Sequence, residues 1–436
     1  MRTLAKELAS KIDKKVEIKG WLHKKRLLGG LNFLTIRDRS GLIQVLAEDK
    51  TEIEKLRGMQ IGTVLTIAGK VIKDDRAPNG AELHDVKITV EVPVTEEPPI
   101  EIDKPLDHKS DNLDTLFDHR VVGLRNLQEQ TIFKVQAEVL KSFRTYMNEH
   151  EFIEINTPKL LAEPTEGGTE VFKMDYFGKV ATLAQSPQFY KQMMTGVFER
   201  VFEINPVYRA EPSATSRHMT EYISMDGEMN FITFDDLLHL ISGLINRISD
   251  DVFAKYAGEL AKWNGTKPKL TAEIPRLRLA EVHEKYSKAT GENSIGEDDL
   301  RPDEERWVSD FAKKNLGSEA VFVTDWAASS MKFYHRKKAD NPEVAERADL
   351  IFRGIEITTI SMREHRYDIL VEQLKAIAHG DPDHAGFKAY LTAFKFGMPP
   401  HGGFGMGLER VTEKLVGLKN VKEASLFPRD LNRLAP

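Results

Sequence analysis

The chain has 436 residues, more than one ordinary hydrophobic core accommodates, so roughly two or three domains are expected. A hydrophobic fraction of 41% and a charged fraction of 30% are typical of a globular protein, and no stretch is apolar for long enough to span a bilayer. The lack of cysteine excludes disulfides and thiolate chemistry, and a net charge of −6 confines any nucleic-acid binding to a local basic surface. Because the first residues are polar and lack the apolar segment of a signal peptide, we expect a cytoplasmic protein with no membrane partner.

Residues 1–98 are predicted to form a small β-barrel of the OB-fold type. Turn residues separate five strand-like runs, at 16–22, 32–36, 42–46, 63–71 and 86–94. Apolar residues alternate along the last run as in a half-buried strand, at Val86, Ile88, Val90, Val92 and Val94. The strand face of an OB-fold often binds single-stranded nucleic acid. Another small β domain would fit the same spacing equally well.

A change of composition predicts a hinge over residues 99–125, where charged residues and prolines follow one another without periodicity. Residues 126–436 are predicted to form an α+β domain on a mostly antiparallel sheet, interrupted by a helical insertion around 236–345. Strand-like pieces are expected at 180–184, 200–208, 221–231 and 350–358. A long helix is expected to open the domain, with one face formed by Ile132, Phe133, Gln136, Val139, Leu140, Phe143 and Met147.

The first segment with the character of a binding site runs from Val207 to Tyr222. Arg209 ends an apolar strand, and Arg217 and His218 lie in the polar loop before the next strand. Two strands joined by such a loop can direct three cationic groups into one pocket, which is the arrangement that binds a polyphosphate. A solvated surface loop rich in cations is the alternative that this segment alone leaves open.

Two further segments combine glycine with charge. Residues 402–410 are predicted to form a glycine-rich turn ahead of a helix, where the backbone can approach a ligand and Arg410 lies in the first turns. Residues 152–168 end a helix with Asn-Thr-Pro and continue into Glu-Pro-Thr-Glu-Gly-Gly. Taken alone, the first is weak evidence for a site and the second is simply a packed helix followed by a turn.

In this order and separation, the three segments resemble motifs 1, 2 and 3 of the class II aminoacyl-tRNA synthetases. The whole chain, barrel first, is similar to the aspartyl-tRNA synthetases of the compact archaeal type. Shared sequences include Gln-Ser-Pro-Gln-Phe-Tyr-Lys at 185–191, Pro-Pro-His-Gly-Gly at 399–403 and Leu-Phe-Pro-Arg-Asp at 426–430. The resemblance implies an enzyme that activates L-aspartate with ATP and transfers it to tRNA-Asp.

The resemblance also implies a role for each residue of an ATP site. Arg209 would contact the α-phosphate and the aspartate carboxyl, and the two cations of the following loop would hold the outer phosphates. Glu211 would bind the adenine amino group. The adenine ring would lie between Arg410 and Tyr222, a position where the family more often has phenylalanine. The other residues assigned to this site are Met219, Glu356 and Gly407.

A magnesium ion is implied in the same way. Glu356 resembles the metal-binding carboxylate of the family, with Thr359 beside it and Asp349 as a second carboxylate. Asp349 and Glu356 are seven positions apart, so on one regular strand they would face opposite sides. A bulge near Gly354 would be needed for both side chains to reach one ion.

Selection of aspartate over asparagine requires cations, because the two side chains differ in charge rather than in shape. Lys191 and Arg363 match the two cations that the aspartyl family uses, and its asparaginyl relatives lack this lysine. An amide placed against two buried cations would be strongly rejected. Glu166 would lie in a loop that closes over the amino acid. The resemblance assigns the remaining contacts to Ser186, Gln188, Arg209, Asp226 and Thr359.

The segment before Arg363 departs from the family pattern. The family usually has Gly-Gly-Gln there, whereas this chain has Thr-Thr-Ile-Ser-Met at 358–362. Without glycine, a loop in this place loses access to positive φ. The position of Arg363, and with it the sharpness of aspartate selection, is therefore left open by the sequence.

The barrel is expected to bind the tRNA anticodon. Phe33 would stack on the central uridine and Gln44 would hydrogen-bond to it, since stacking alone is tolerant of sequence. Lys24, Lys25 and Arg26 would supply positive charge for the phosphates. Burial of Phe33 in the barrel core is the alternative.

Two positions bear on the choice of tRNA. His23 and Pro78 stand where the branch of the family that discriminates tRNA-Asp from tRNA-Asn has tryptophan and lysine. The chain is therefore expected to belong to the non-discriminating branch, which also charges tRNA-Asn with aspartate for later amidation by another enzyme. An enzyme specific for tRNA-Asp alone is the alternative.

Two other classes of protein remain as rivals. An asparaginyl-tRNA synthetase shares the scaffold, but Lys191 argues against it. A synthetase-like paralogue would be either a tRNA-independent amide ligase, which would lack the barrel, or a non-catalytic binding module, which would have lost the ATP-binding residues. This chain has both the barrel and those residues. A homodimer is expected by resemblance, because the helix of motif 1 and Pro158 match the dimer interface of class II enzymes.

Overall fold

The computed structural model describes residues 2–28, 31–106, 113–162, 170–212, 215–377 and 380–436. Contacts divide the chain into two compact units, Met1–Gln130 and Thr131–Ala435, and each has its own core. The predicted aspartate-binding residue Glu166 lies outside the described residues.

The first unit is a closed five-stranded barrel. Its elements are β1 (Lys15–Leu28), β2 (Leu31–Asp38), β3 (Gly41–Ala47), α1 (Lys50–Arg57), β4 (Val64–Lys73), β5 (Ala81–Val92), α2 (Leu113–Asp118) and α3 (Arg120–Gly123). The strands close in the order β1-β2-β3-β5-β4, with β3 and β5 parallel. Alternate side chains such as Ile18, Leu34 and Ile36 fill the interior, as the period of a strand requires. The predicted OB-fold is confirmed.

The last strand of the barrel begins earlier than its pattern predicts, and less of it is buried. β5 pairs with β4 from Ala81 onward. Ile88 is buried, whereas Val90 and Val92 are 39% and 58% exposed. The alternating apolar residues therefore mark a face that the barrel covers only as far as Ile88.

The second unit is built on two sheets. Its elements are α4 (Leu127–Glu149, which begins in the first unit), β6 (Ile153–Glu154), β7 (Leu160–Leu161), β8 (Lys173–Tyr176), β9 (Lys179–Leu183), α5 (Gln188–Phe198), β10 (Arg200–Tyr208), β11 (Glu221–Asn230), α6 (Phe234–Ala261), β12 (Arg276–Arg278), α7 (Leu279–Thr290), α8 (Pro302–Phe311), β13 (Ala320–Thr324), β14 (Arg347–Phe352), β15 (Ile355–Arg363), α9 (Tyr367–Lys375), α10 (Ala385–Lys395), β16 (His401–Gly407) and α11 (Leu408–Val416).

The larger sheet has eight strands in the order β12-β13-β14-β15-β16-β11-β10-β6. Neighbours from β13 to β10 are antiparallel, and the pair at each edge is parallel. A small sheet of three strands has the order β7-β9-β8. The predicted α+β class on a mostly antiparallel sheet is thereby confirmed, with parallel pairing limited to the edges.

Two long helices cover one face of the larger sheet. The predicted apolar face of α4 packs into the core through Val139 and Phe143, which join Phe404 of β16 in one cluster. α6 begins with a capping box, in which Thr233 accepts from the Asp236 backbone N–H and the Asp236 carboxylate accepts from the Thr233 N–H. Because both helices lie on this face, the opposite face of the sheet is left to form a site.

Two stretches contain elements that the sequence did not predict. The stretch 236–345, expected to be a helical insertion, contains α6, α7 and α8 but also contributes β12 and β13 to the larger sheet. The stretch 99–125, expected to be a hinge, contains α2 and α3. No helix in the described part of the chain is long and apolar enough to cross a membrane.

Candidate active site

Most of the predicted site residues line one cavity of about 260 Å³. The cavity lies on the face of the larger sheet opposite α4 and α6, because Ser224 and Asp226 of β11 line it while Met225 between them is buried in the core. The predicted residues found in its lining are Ser186, Gln188, Lys191, Arg209, Glu211, Arg217, His218, Met219, Tyr222, Asp226, Glu356, Thr359, Arg363, Gly407 and Arg410.

The connection between β10 and β11 brings its cations to the cavity. The guanidinium carbon of Arg209 lies 5.7 Å from the centre of the Tyr222 ring, and Arg209 Nη1 lies 3.7 Å from Glu211 Oε1. His218 Nε2 lies 3.6 Å from Glu211 Oε2. Burial lowers the pKa of His218, and Glu211 opposes that shift. Arg217 lines the same wall, so these cations form part of a cavity rather than a solvated loop.

The glycine-rich segment is a strand, and its prediction as a turn was wrong. Residues 401–407 form β16 between β11 and β15, and α11 follows directly. A Cβ atom at Gly403 would lie 1.9 Å from Glu228 Oε2, and one at Gly405 would lie 3.1 Å from Asp226 Oδ1. These glycines therefore make room for the carboxylates of the neighbouring strand.

Arg410, in the first turn of α11, faces Glu356. Arg410 Nη1 donates to the Glu356 backbone oxygen at 2.9 Å and to Oε2 at 3.1 Å. The hydroxyl of Thr359 donates to Glu356 Oε1 at 3.1 Å. Burial raises the pKa of Glu356, but Arg410 and Arg347 outweigh it and the pKa is lowered. The carboxylate is therefore held in its charged form.

Asp349 and Glu356 lie on two strands, and the prediction of a single strand over 350–358 was wrong. The chain turns at Arg353 and Gly354, with φ of 48° and 84°, so that Asp349 of β14 lies opposite Thr359 of β15. The register then shifts by a β-bulge, which places one extra residue between Thr359 and Glu356. The bulge lets the side chains of Glu356 and Thr359 both face the cavity although they are three positions apart on β15.

Asp349 itself is shielded from the cavity. It is 4% exposed, and its Oδ2 accepts from Arg347 Nη2 at 2.7 Å. Burial raises the pKa of Asp349 to about 7; Arg347 opposes the shift and Glu356 adds to it. Among the described residues, no group of three or more histidines and carboxylates is arranged to hold a metal. A divalent ion here would have two carboxylates and the Thr359 hydroxyl.

Lys191 lies at the inner end of the cavity with 2% exposure, so it is not a surface lysine. Its ammonium donates to Asp226 Oδ1 and to the Phe404 backbone oxygen, both at 2.9 Å, and lies 3.4 Å from Glu228 Oε2. Asp226 Oδ2 is buried and has no hydrogen-bond partner within the described ranges. A buried carboxylate oxygen in that state is suited to accept from an ammonium group.

Arg363 is positioned without the glycines of the family. β15 continues as a strand to Arg363 and pairs with β16, so no positive φ is needed there and the expectation of a loop was wrong. Arg363 Nε and Nη2 donate to Glu228 Oε1 and Oε2 at 2.7 and 3.2 Å. Nη1 donates to Ser361 Oγ at 2.5 Å. The serine therefore helps to orient the guanidinium.

Glu228 is the residue that sequence analysis missed. It is fully buried between Lys191 and Arg363. Burial raises its pKa, but Arg363 and Lys191 outweigh burial, so the pKa is lowered and the carboxylate stays charged. Glu228 lies two positions after Asp226 on β11, and the period of a strand places both on one face. That alternation was a signal that could have identified it.

A loop after β13 supplies residues for which the local sequence gives no signal. Ser330, Lys332, Tyr334 and His335 line the cavity. The guanidinium carbon of Arg363 lies 5.4 Å from the centre of the Tyr334 ring. Burial holds the pKa of His335 well below its ordinary value. This loop belongs to the stretch predicted as a helical insertion, and only the packing of the chain brings it to the site.

On the barrel, Phe33 and Gln44 belong to the outer face of β2 and β3. Leu34 and Ile36 are fully buried, whereas Phe33, whose side chain lies on the other side of β2, is only partly buried. The alternative that Phe33 belongs to the barrel core is therefore excluded. Thr35 lies opposite Gln44 in the register. Gln44 Nε2 donates to Glu82 Oε2 at 2.7 Å. The amide is thus already oriented by a neighbouring carboxylate.

The remaining residues predicted for the anticodon lie on β1 and in the turn after β4. His23 is the extra residue of a β-bulge in β1, and burial lowers its pKa. Arg26 is exposed, and Pro78 opens the turn between β4 and β5. Lys25, expected to supply positive charge for the phosphates, is held by the barrel itself. Its ammonium donates to three backbone oxygens at the end of α1, those of Leu56, Arg57 and Met59.

Four features define a class II aminoacyl-tRNA synthetase. They are an antiparallel sheet, arginines on a strand hairpin, an arginine on the helix that follows a glycine-rich strand, and an OB-fold. Residues 112–431 match the family described as tRNA synthetases class II (D, K and N), and residues 16–94 match the OB-fold nucleic acid binding domain. The chain belongs to this family of class II tRNA synthetases, whose members use ATP.

Relatives and solved structures agree with that assignment. The chain is 41% identical over 440 residues to the aspartate–tRNA(Asp/Asn) ligase of Thermus thermophilus, covering all of both chains. It is 40% identical to the protein of the same name from Saccharolobus solfataricus, with 99% of each chain covered. Asparaginyl-tRNA synthetase from Pyrococcus horikoshii, complexed with asparaginyl-adenylate, superposes with a TM-score of 0.91 at 27% identity over all of both chains. Aspartyl tRNA synthetase from Entamoeba histolytica superposes with a TM-score of 0.85 at 28% identity, covering all of this chain and 93% of that one.

Proposed function

We propose that the protein is an aspartate–tRNA ligase that charges both tRNA-Asp and tRNA-Asn with L-aspartate. The observation that carries the proposal is the buried pair of cations, Lys191 and Arg363, at the inner end of a cavity that also holds Arg209 and Arg410. The names of the relatives that are about 40% identical over the full length support the same substrate. The two ends of the cavity correspond to the two substrates of the first reaction step.

ATP binds at the end of the cavity formed by the β10–β11 connection and α11. Tyr222 and Arg410 take the adenine between them, and Glu211 accepts from its amino group. Met219 and Gly407 line the same end. By resemblance, Arg209 serves the α-phosphate, and Arg217 and His218 serve the outer phosphates. Each of these three contacts to a phosphate is a charge-assisted hydrogen bond, and such bonds are stronger than those between neutral groups.

Aspartate binds at the inner end. Its side-chain carboxylate accepts from Lys191 and Arg363, and its ammonium donates to Asp226 Oδ2, which is buried and has no other donor among the described residues. Ser186, Gln188 and Thr359 line the same cavity and supply further contacts to aspartate. We assign Glu166 to the loop over the amino acid by resemblance alone.

The first reaction step joins the two substrates. The α-carboxylate of aspartate attacks the α-phosphorus of ATP in line, and pyrophosphate leaves. Positioning and positive charge supply the stabilisation, because this transfer needs little covalent work from the protein. In the second step, a hydroxyl of the terminal adenosine of tRNA attacks the aspartyl carbonyl, and AMP leaves.

Glu356 and Asp349, with the Thr359 hydroxyl beside them, would hold a magnesium ion. Magnesium typically takes one or two carboxylates together with substrate phosphates, which is the donor set available here. Burial, and to a smaller extent Glu356, raises the pKa of Asp349, and a bound cation would favour its charged form. When bound, the ion would neutralise charge on the phosphates. Arg347 would then have to share Asp349 with it.

Asparagine is the alternative substrate, since the fold matches an asparaginyl-tRNA synthetase closely. Its amide would present N–H groups or a neutral oxygen to two buried cations, which is a costly mismatch.

Pyrophosphate exchange with each amino acid tests the proposal. We expect aspartate to support exchange at least about 10³-fold more efficiently than asparagine. Equal exchange with both, or none with aspartate, would reject the proposal.

The barrel binds the anticodon through Phe33 and Gln44 on its outer face, with Arg26 near the phosphates. His23 and Pro78 replace the tryptophan and lysine of the discriminating branch, and the relatives named for both tRNAs support acceptance of tRNA-Asn. Charging of the two transcripts side by side tests this part separately. If tRNA-Asp is aspartylated and tRNA-Asn is not, the enzyme is specific for tRNA-Asp and acceptance of tRNA-Asn is rejected.

We also propose a homodimer that works in the cytoplasm, where ATP and tRNA are available. Support for the dimer comes from large apolar side chains exposed on the edge strand β6, on the β8–β9 hairpin and at the ends of α5 and β11. These are Ile153, Met174, Tyr176, Phe177, Val180, Val197, Phe198 and Phe231. So many exposed apolar groups on one unit are typical of a protein interface.

A further inference from the structure

Glu305 lies outside the three motifs and contacts Arg217, which lines the cavity. It lies on α8, which is anchored through Val308 in a core shared with β13 and β14. Arg217 Nη2 donates to Glu305 Oε2, and this ion pair ties the β10–β11 connection to α8. The helix fixes Glu305, whereas Arg217 has a long side chain with several rotatable bonds. Arg217 is therefore the member of the pair that can change partner.

The surroundings of the pair favour such an exchange. The side chains of Arg217 and Glu305 are 24% and 13% exposed, so the pair is neither sealed in a core nor fully solvated. Burial raises the pKa of Glu305; Arg217 opposes the shift, Glu356 adds to it and Arg410 opposes it. The Glu305 carboxylate thus interacts electrostatically with Arg217, Glu356 and Arg410, which are proposed to bind ATP and its metal ion. It is negatively charged, as the phosphates of ATP are.

We infer that Glu305 competes with the outer phosphates of ATP for Arg217 and thereby weakens ATP binding. The inference rests on the proposed role of Arg217 in the phosphate site. When the phosphates take the guanidinium, Glu305 loses its partner while it stays close to Glu356, and this cost is subtracted from the affinity for ATP. AMP has no outer phosphates, so its binding leaves the pair intact.

The test is Glu305→Gln, which keeps the shape of the side chain and removes its charge. In aspartate-dependent pyrophosphate exchange we expect the KM for ATP to fall about two- to fivefold, the range of a partly exposed ion pair. The inhibition constant of AMP should stay unchanged. Asp310→Asn is the matched control, because Asp310 is exposed on the same helix and its loss removes the same charge. It should leave both constants unchanged.

The outcomes separate the inference from the proposed function. A higher KM for ATP in Glu305→Gln would mean that Glu305 holds Arg217 in place for ATP, and an unchanged KM would mean that the two do not compete; either overturns the inference. Equal changes for ATP and AMP would indicate a structural effect and overturn it as well. In the Arg217→Ala background the substitution should have no effect. A wild-type protein without aspartate-dependent exchange would instead refute the proposed function.

Discussion

At the scale of single residues, Glu228 holds together the two cations proposed to select aspartate. It accepts from Arg363 at 2.7 Å, lies 3.4 Å from Lys191 and is fully buried. The pocket is thus not a bare pair of positive charges. Glu228 sets the orientation of both cations.

Replacement of Glu228 by glutamine should therefore destabilise the protein. The variant leaves Lys191 and Arg363 buried without their shared carboxylate, and breaking a buried pair in this way costs about 3–5 kcal/mol. Chemical denaturation monitored by circular dichroism measures the change in the free energy of unfolding. Asp250→Asn is the control, because Asp250 and Lys267 form a pair with exposures of 63% and 57%. It should change the free energy by less than about 0.5 kcal/mol. Equal effects of the two variants would contradict the argument.

Glu409 predicts a dependence of stability on pH. Burial raises its pKa to about 8 in the folded protein, above the 4.5 of an ordinary glutamate, although the Ile223 backbone N–H donates to it. In the unfolded chain the carboxyl ionises near its ordinary pKa, so stability due to the neutral group is present below pH 4.5 and is lost as the pH rises to about 8.

Glu409→Gln removes this titration. Relative to wild type, the variant should gain roughly 4 kcal/mol in the free energy of unfolding between pH 4.5 and 8. Denaturation midpoints of both proteins at several pH values measure the difference. A constant difference across that range would show that Glu409 does not titrate in this way.

At the scale of elements, β16 owes its glycines to the carboxylates of β11. The strand must pass beside Glu228 and Asp226, and a side chain at Gly403 would occupy the space of the Glu228 carboxylate. If β16 carried side chains at these positions, they would push β16 away from β11 or displace the Glu228 and Asp226 carboxylates. The glycines thus allow a charged group to lie inside a sheet.

Gly403→Ala should accordingly displace Glu228 and reduce both stability and aspartate activation. The added Cβ would lie 1.9 Å from Glu228 Oε2 and 2.3 Å from the Gly227 backbone oxygen, so we expect a loss of more than about 2 kcal/mol, as for overpacking. Gly258→Ala is the matched control. Gly258 lies within α6 with open space around it, and alanine there should stabilise the helix by about 0.5–1 kcal/mol. Thermal unfolding of both variants tests the contrast.

At the scale of the whole molecule, the exposed apolar residues of the second unit predict dimerisation. Phe177 is 91% exposed and Phe231 is 71% exposed, so neither supports the fold of one chain. Glu at either position should shift the light-scattering mass from that of a dimer toward the 49.5 kDa of one chain. Ile295→Glu, at a position that is 62% exposed but lies between α7 and α8, should leave the mass unchanged. A wild-type mass of one chain would contradict the proposal.

The family, the OB-fold and the α+β class were all predictable from the sequence, because they depend on strand periodicity and on short motifs whose chemistry is local. Arg209, Arg217 and Arg410 were identified as candidates in the same way, and their roles stay predictions. Errors arose where one strand pattern had two interpretations. The pattern over 350–358 fits one strand or a hairpin, and the glycines of 402–407 fit a turn or a strand beside buried carboxylates.

The sequence by itself determined which kinds of chemistry the chain carries, since charge, hydrogen-bonding capacity and periodicity belong to residues and short segments. The tertiary structure alone decided which groups meet. It placed Glu228 between Lys191 and Arg363, Glu305 against Arg217, and His335 in the cavity. The physical reason is that the pairing of buried charges depends on strand register and helix packing over long separations, and local patterns do not encode those distances.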